Sequence, residues 1–122
     1  MAKKILIVED QEEIRELIRV TLEFDDYDIH EAADGTEGLA QAQRLRPDLI
    51  LLDVMMPGGL NGLEVCQRVK ADPGLKRTKI VLLTARGQDA DKQAGAKAGA
   101  DEYLIKPFSP LELMKVIGKV IR

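Results

Sequence analysis

The chain of 122 residues has 18 Lys and Arg against 21 Asp and Glu, a formal net charge of −3, and is 45% hydrophobic. This length predicts one domain over residues 1–122 without an output domain, and the acidic balance argues against direct binding of nucleic acid. One Cys and one His exclude a zinc site and an internal disulfide, and the short apolar runs exclude a membrane span or a secretory signal, so we expect a cytoplasmic protein.

Short apolar runs alternate along the chain with stretches of helical period. This order is typical of a parallel sheet with helices on both faces. Four runs are continuously apolar, as strands buried on both faces must be, whereas the run Tyr27–Ala32 alternates with period two and predicts an edge strand. The predicted strands are residues 5–8, 27–32, 49–52, 80–83 and 103–105.

The stretches between these strands predict five helices. The first has an apolar stripe with helical spacing, formed by Ile14, Leu17, Ile18, Thr21 and Leu22. A second helix begins at Asp34, with Glu37 placed for a capping box, and a third runs from about residue 62 to the breaker sequence at residues 72–74.

The last two predicted helices contrast strongly. The fourth, about residues 88–98, has four alanines and a glycine and lacks a large apolar side chain, so we expect it to shift easily. The fifth begins clearly at Ser109, followed by Pro110 and by Glu112 in capping-box spacing.

Reactive side chains follow four of the five apolar runs. Glu9 and Asp10 follow the first run, Asp53 the third, Thr84 the fourth and Lys106 the fifth. Each of these residues alone has an ordinary interpretation, such as a helix cap or a solvated charge. Because the carboxyl ends of parallel strands meet at one edge of a sheet, we expect these groups to form one site.

This set of side chains predicts a site for a metal ion and a phosphoryl group. Neighbouring carboxylates repel one another, and Mg²⁺ relieves that repulsion because it prefers oxygen ligands. Asp10 and Asp53 supply carboxylates, and the backbone carbonyl of Met55 is a further candidate ligand. Lys106 and Thr84 would then contact the phosphoryl oxygens. Asp53 stands alone after a central strand, so it is the best nucleophile for forming an aspartyl phosphate.

At these residues the chain resembles the response-regulator receiver domains of two-component signalling, from residue 4 to residue 121. The resemblance lies in residues 7–10 (IVED), 51–58 (LLDVMMPG), 83–85 (LTA) and 98–108 (AGADEYLIKPF). It implies a flavodoxin-like α/β fold, with five helices around one doubly wound parallel sheet of strand order 2-1-3-4-5.

The resemblance also implies a role for each site residue. Asp53 would be the phosphoacceptor, Thr84 the switch hydroxyl and Lys106 the phosphate-binding lysine. Tyr103 would be an aromatic that turns inward on activation, although its ordinary interpretation is a strand aromatic half packed on a helix. The implied Mg²⁺ ligands are Glu9, Asp10, Asp53 and Met55, and the implied cis bond precedes Pro107.

The implied partners follow from the same family. The phosphodonor would be a phosphohistidine on a sensor histidine kinase or a phosphotransfer protein. The output would be a downstream protein or a second copy, bound through the fourth helix, fifth strand and fifth helix. The chain would not be an enzyme beyond its own phosphorylation and dephosphorylation. His30 lies on the predicted edge strand, where we expect a solvated side chain and no phosphodonor role.

The loop at residues 57–62 departs from the family pattern because it is one residue longer. The extra residue follows Met55, so we expect the metal-binding carbonyl to be retained. Three alternatives stay open. A nucleotide-binding module would need a phosphate-binding glycine motif, which the sequence lacks. A Mg²⁺-dependent phosphatase would need an acid where Met55 stands, and a phosphorylation-independent docking module would not use the reactive residues.

Overall fold

The structure is a computed structural model that describes residues 2–56, 59–85 and 89–121. Strands and helices alternate regularly along the chain. The predicted start of the fourth helix at residue 88, and residues 57 and 58 of the long loop, lie outside the described part. The strands are β1 Lys3–Val8, β2 Tyr27–Ala32, β3 Leu49–Asp53, β4 Lys79–Ala85 and β5 Glu102–Lys106, and the helices are α1 Glu12–Leu22, α2 Gly35–Leu45, α3 Gly62–Ala71, α4 Asp89–Ala98 and α5 Pro110–Val120.

All strand pairs in the sheet are parallel, and the strand order is β2-β1-β3-β4-β5. The predicted fold class, strand order and edge position of β2 are therefore confirmed. The interpretation of β5 as a strand buried on both faces is wrong, because β5 is the second edge and only Leu104 is buried in it. An edge strand has a neighbour on one side only, so an apolar run of three residues does not ensure its burial.

Alternate side chains of the strands build two separate cores. In β1, Ile5 and Ile7 point to one face of the sheet, where α1 and α5 pack, and Leu6 and Val8 point to the other, where α2 and α3 pack. The side chains of Leu49 to Leu52 in β3 are divided between the two faces in the same alternating way. This double coverage explains why the central strands are apolar without interruption.

Helix α1 follows the predicted stripe with one exception. Ile18, Thr21 and Leu22 are buried, but Leu17 is 40% exposed and lies at the margin of the stripe, so its predicted core position is wrong. Helix α4 is only weakly anchored, as the sequence predicted. Among its described side chains, only Gly95 and Ala98 are buried.

The helix starts test the capping predictions. Ser109 and Glu112 form the predicted reciprocal capping box of α5. In α2 the backbone N–H of Glu37 donates to Asp34 at 2.8 Å, but the Glu37 carboxylate accepts from Gln41 instead of returning the bond, so only half of that box forms. Helix α3 ends as predicted and is followed by a 3-10 turn at Pro73–Leu75. No helix in the described ranges combines the length and apolar character needed to cross a bilayer.

Candidate functional site

The register of neighbouring strands places two acidic residues side by side. Val8 of β1 pairs with Leu52 of β3, so the next residues, Glu9 and Asp53, stand at the same level of the sheet. Asp10 follows Glu9 before α1 begins. One carboxylate oxygen from each of these three acidic residues lies within 4.8 Å of the others, and this group is here called the acidic cluster.

Glu9 is fully buried, and protein groups contact both of its carboxylate oxygens. Its Oε2 accepts a hydrogen bond from the backbone N–H of Gln11 at 3.1 Å. Its Oε1 lies 2.6 Å from Lys106 Nζ, a close ionic contact without hydrogen-bond alignment. The Glu9 carbonyl accepts from Arg15 Nη1 at 2.9 Å. These contacts fix the Glu9 side chain within the acidic cluster.

Lys106 connects the end of β5 to the acidic cluster. Its Nζ also lies 3.2 Å from Oδ1 of Asp53, so one ammonium group contacts two buried carboxylates. The peptide bond between Lys106 and Pro107 is cis. Three carboxylates facing one ammonium leave a formal charge of −2 at these strand ends, and this excess negative charge is suited to a divalent cation.

This excess negative charge affects the pKa of the Asp53 carboxyl. Its side chain is only 6% exposed, and burial together with the nearby Glu9 carboxylate raises the pKa of the Asp53 carboxyl to about 7, against the opposing effect of Lys106. Burial disfavours the ionised form, and a like charge disfavours it further. A cation bound to these oxygens would favour the ionised form, so Asp53 is poised between protonation and metal binding.

Thr84 lies on the neighbouring strand, at the same end of the sheet. Asp53 pairs with Leu83, and the next two residues of β4, Thr84 and Ala85, pair with Ile105 and Lys106. The Oγ1 atom of Thr84 is buried and has no hydrogen-bond partner among the residues that the structure describes. A buried hydroxyl without a partner is costly, and this one stays available as a donor to an arriving group.

Tyr103 is a half-buried aromatic of β5 that packs against α4. A Cβ atom at Gly95 would lie 2.8 Å from Cε1 of Tyr103 and 2.5 Å from Cδ1 of Leu82, so the ring occupies the space that glycine leaves on α4. Burial raises the pKa of the Tyr103 hydroxyl above its usual value. This placement agrees with the ordinary interpretation of Tyr103 and also links β5 to α4, in which only Gly95 and Ala98 are buried among the described residues.

The loop after β3 holds a positioning residue that the sequence analysis missed. Any Cβ at Gly62 would overlap the Asp53 carbonyl, and the Gly62 N–H donates to the Val54 carbonyl at 3.1 Å. The start of α3 therefore rests on the backbone of the site. The start of α3 agrees with the prediction of about residue 62, and the capping box of Asn61 and Glu64 that opens the helix is visible in the sequence.

The donor set fits Mg²⁺ by its chemistry. The acidic cluster offers carboxylate oxygens, the ligand type that Mg²⁺ prefers, and its charge is only partly offset by Lys106. Met55 lies beside the cluster, because its backbone N–H donates to Asp53 Oδ1 at 3.3 Å. Met55 is 68% exposed, and its thioether side chain provides no carboxylate near Asp53.

Comparisons with known proteins agree on one family. A family model described as the response regulator receiver domain matches residues 5–118. The transcriptional regulatory protein ResD of Bacillus subtilis is 44% identical over 119 residues, which cover 98% of this chain and 48% of ResD. The chain thus spans about half the length of the curated relatives it matches.

Two solved structures have closely similar folds. The chemotaxis protein CheY4 of Vibrio cholerae is 38% identical with a TM-score of 0.92, and the match covers 99% of this chain and 100% of that one. The receiver domain of the sensor histidine kinase PA1611 of Pseudomonas aeruginosa has a magnesium ion coordinated in its active-site cleft. It is 31% identical with a TM-score of 0.89, covering 99% of this chain and 98% of that one.

Proposed function

Because the chain belongs to the family of response regulator receiver domains, we propose that it is a phosphorylation-dependent switch with Asp53 as the phosphoacceptor. The proposal depends above all on Lys106 Nζ, which lies 2.6 Å from Glu9 and 3.2 Å from Asp53. This contact gathers the negative groups that suit a divalent cation and the positive group that suits phosphate oxygens at one end of the sheet.

We propose Mg²⁺ as the cofactor, held by Glu9, Asp10, Asp53 and the carbonyl of Met55. When bound, Mg²⁺ neutralises the carboxylates and the oxygens of a phosphoryl group. The excess negative charge of the acidic cluster supports this assignment, as does the magnesium ion in the related PA1611 receiver domain.

The proposed donor is a phosphohistidine of a sensor histidine kinase or a phosphotransfer protein. An Oδ atom of Asp53 attacks the phosphorus, a new O–P bond forms, and the N–P bond of the donor breaks. The imidazole nitrogen leaves with the electron pair of that bond. Lys106, already in contact with Asp53, turns its charge to the phosphoryl oxygens and offsets the charge they bring.

The proposed output begins at Thr84, whose buried hydroxyl has no described partner and donates to the new phosphoryl group. The movement of this part of β4 would release space for the Tyr103 ring and displace α4, which buries few of its described side chains. The changed surface of α4, β5 and α5 would then bind a downstream protein or a second copy of the chain.

The proposed setting is the cytoplasm, where the phosphodonor would be met. ResD is named a transcriptional regulatory protein, and this chain matches about half of it. We do not extend DNA binding to residues 1–122, because their formal net charge is −3. Nor do we propose turnover of a separate substrate.

Tyrosine fluorescence tests the proposal directly. The chain has two tyrosines and no tryptophan, so a Tyr27→Phe background leaves Tyr103 as the only tyrosine signal. Beryllofluoride with Mg²⁺ should change that signal, and acetyl phosphate with Mg²⁺ should add a phosphoryl mass to the chain. Asp53→Asn should abolish both responses, whereas Asp26→Asn, the same change at an exposed acid, should retain them.

Other results would contradict the proposal in different ways. A fluorescence response that survives in Asp53→Asn would remove Asp53 from the mechanism. Steady hydrolysis of p-nitrophenyl phosphate by the wild-type chain would favour the phosphatase alternative. Absence of both added mass and a fluorescence change in the wild type would leave a docking module that does not depend on phosphorylation.

A further inference from the structure

A polar cleft lies at the end of the sheet opposite the acidic cluster. It has a volume of about 450 Å³ and lies where the chain enters β3 and β4. Its walls include two prolines and a glycine. We call it the basic cleft, and the residues that matter here are Arg46, Pro47, Asp48, Gly74, Lys76 and Arg77.

Three cationic side chains line the basic cleft, and no carboxylate of the described residues forms an ion pair with them. These side chains belong to Arg46, Lys76 and Arg77. The one acid in the wall, Asp48, directs its Oδ2 to the backbone N–H of Lys4 at 2.8 Å. The basic cleft thus has a formal charge of +2 in a chain whose net charge is −3.

Helix α2 ends at Arg46, which lines the basic cleft. Arg46 has φ 48° and ψ 62°, the left-handed conformation that glycine or asparagine adopts more easily. Helices commonly end on a left-handed residue, and glycine is the usual one, so the arginine places a cation where the backbone would favour glycine. This helix end brings the Arg46 guanidinium group close to Gly74, in the wall of the basic cleft.

Gly74 keeps the space beside that guanidinium open. A Cβ atom there would lie 3.3 Å from Oδ1 of Asp72, 3.9 Å from Nε of Arg46 and 4.0 Å from Nη2 of Arg46, so a side chain at this position would occupy the room beside both charged groups. The Gly74 N–H donates to Oδ1 of Asp72 at 2.8 Å, which holds the turn in place and engages one oxygen of this carboxylate beside the cleft.

We propose that the basic cleft binds a small anion with several phosphoryl groups, either inorganic polyphosphate or a nucleoside triphosphate. Three unneutralised cations match an anion with more than one charged group, because a single phosphate would leave part of this charge unpaired. The volume lies within the usual range for small-molecule sites. This site is separate from the acidic cluster, whose carboxylates repel such an anion when Mg²⁺ is absent.

An NMR titration of the ¹⁵N-labelled 122-residue chain tests this proposal. Tripolyphosphate and ATP are added separately in Mg²⁺-free buffer with EDTA, and we expect saturable shifts of the Arg46, Gly74 and Arg77 amides. Arg46→Gly and Arg77→Gln should each weaken binding by about fivefold, the effect of one solvent-exposed ion pair. Added salt should weaken it further.

Three variants separate a specific effect on anion binding from other effects. Lys115→Gln removes an exposed charge outside the basic cleft and should leave the affinity unchanged. Arg46→Gly relieves the left-handed backbone, so it should resist urea at least as well as the wild type while binding less tightly. Asp53→Asn should bind as the wild type does, which separates a failure here from a failure of the proposed phosphorylation.

Each outcome decides for or against the proposal. Equal affinity for the two probes would identify polyphosphate as the source, and tighter binding of ATP would identify a nucleotide. Absence of saturable shifts, or equal weakening by Lys115→Gln, would overturn it. Binding of polyglutamate without binding of tripolyphosphate would also overturn it and would indicate an acidic protein partner.

Discussion

The two ends of the sheet treat their polar groups in opposite ways. At the amino ends of the strands, Lys70 Nζ lies 2.8 Å from Asp101, which also accepts from the backbone N–H of Ile80. The buried hydroxyl of Thr78 donates to the Pro47 carbonyl at 2.7 Å. At the carboxyl ends, Thr84 Oγ1 has no partner among the described residues, and burial with the adjacent Glu9 raises the pKa of the Asp53 carboxyl.

This contrast separates stability from function within one small domain. Paired groups at the amino ends hold the strand starts in register, and these groups are already satisfied without a ligand. The carboxyl ends keep like charges close together and a donor unused, which lowers stability until a cation and a phosphoryl group arrive. The basic cleft is the exception at the amino ends, because its three cations have no carboxylate partner among the described residues.

The largest expected effect comes from removing the uncompensated charge at Asp53. Asp53→Asn leaves Glu9 paired with Lys106 as one balanced pair, so we expect the free energy of unfolding at pH 8 to rise, by at most about 4 kcal/mol, the full conversion of the raised pKa. Urea unfolding without divalent cations measures this change. Mg²⁺ should then stabilise the wild type but not Asp53→Asn. A loss of stability in Asp53→Asn would mean that its ionised form is well solvated.

The same carboxyl predicts a pH dependence with a definite sign. The pKa of Asp53 is about 7 in the folded chain, compared with about 4 for an unfolded aspartate. Because the pKa is raised in the folded chain, protonation of Asp53 stabilises the folded state. This contribution to the free energy of unfolding is fully present below pH about 4 and is lost as the pH rises through 7. The stability difference between Asp53→Asn and wild type should grow over this range, and a constant difference would contradict the prediction.

A smaller and opposite effect is expected at the amino ends. Asp101→Ala leaves the Ile80 N–H without its partner and Lys70 with only the Thr78 carbonyl, so stability should fall by about 2 kcal/mol, less than for a fully buried pair because both side chains are partly exposed. Lys119→Gln removes one member of the more exposed pair with Glu102 and should change stability by less than about 0.5 kcal/mol. Equal losses in the two variants would show that Asp101 does not join the strand starts.

The smallest effects come from the same substitution at two buried threonines. Thr78→Val removes the hydrogen bond to Pro47 and should cost about 1 kcal/mol, whereas Thr84→Val removes an unpaired hydroxyl and should be neutral or stabilising by about 1 kcal/mol. Chemical unfolding of both variants under identical conditions measures the difference. Equal destabilisation would show that the Thr84 hydroxyl is satisfied in solution and would erase the contrast between the two ends.

Some site features were predictable because they depend on local sequence. The polar residue after each apolar run marks the end of a strand, and parallel strands end at the same side, so Glu9, Asp10, Asp53 and Lys106 were expected to meet. The start of α5 was equally predictable, since Ser109 and its neighbours cap it through contacts within one turn.

Other features could not be predicted, because they depend on contacts with residues distant in the sequence. The apolar run of β5 gave no sign that its outer side lacks a neighbouring strand, and Leu17 has the right spacing for a core position but lies at the rim of α1. The close approach of Gly62 to the Asp53 carbonyl depends on how the long loop returns to the sheet. Patterns of period two or 3.6 describe which side of an element is apolar, not what covers that side.

By itself, then, the sequence determined the order of the strands and helices along the chain, their apolar sides and the residues at the strand ends, because these depend on neighbours within a turn or two. Only the tertiary structure decided which charges are neutralised. Lys106 contacts both Glu9 and Asp53, while Arg46, Lys76 and Arg77 remain without a described carboxylate partner. The physical reason is that charge pairing acts through space over a few ångströms, between groups that packing and register bring together from distant parts of the chain.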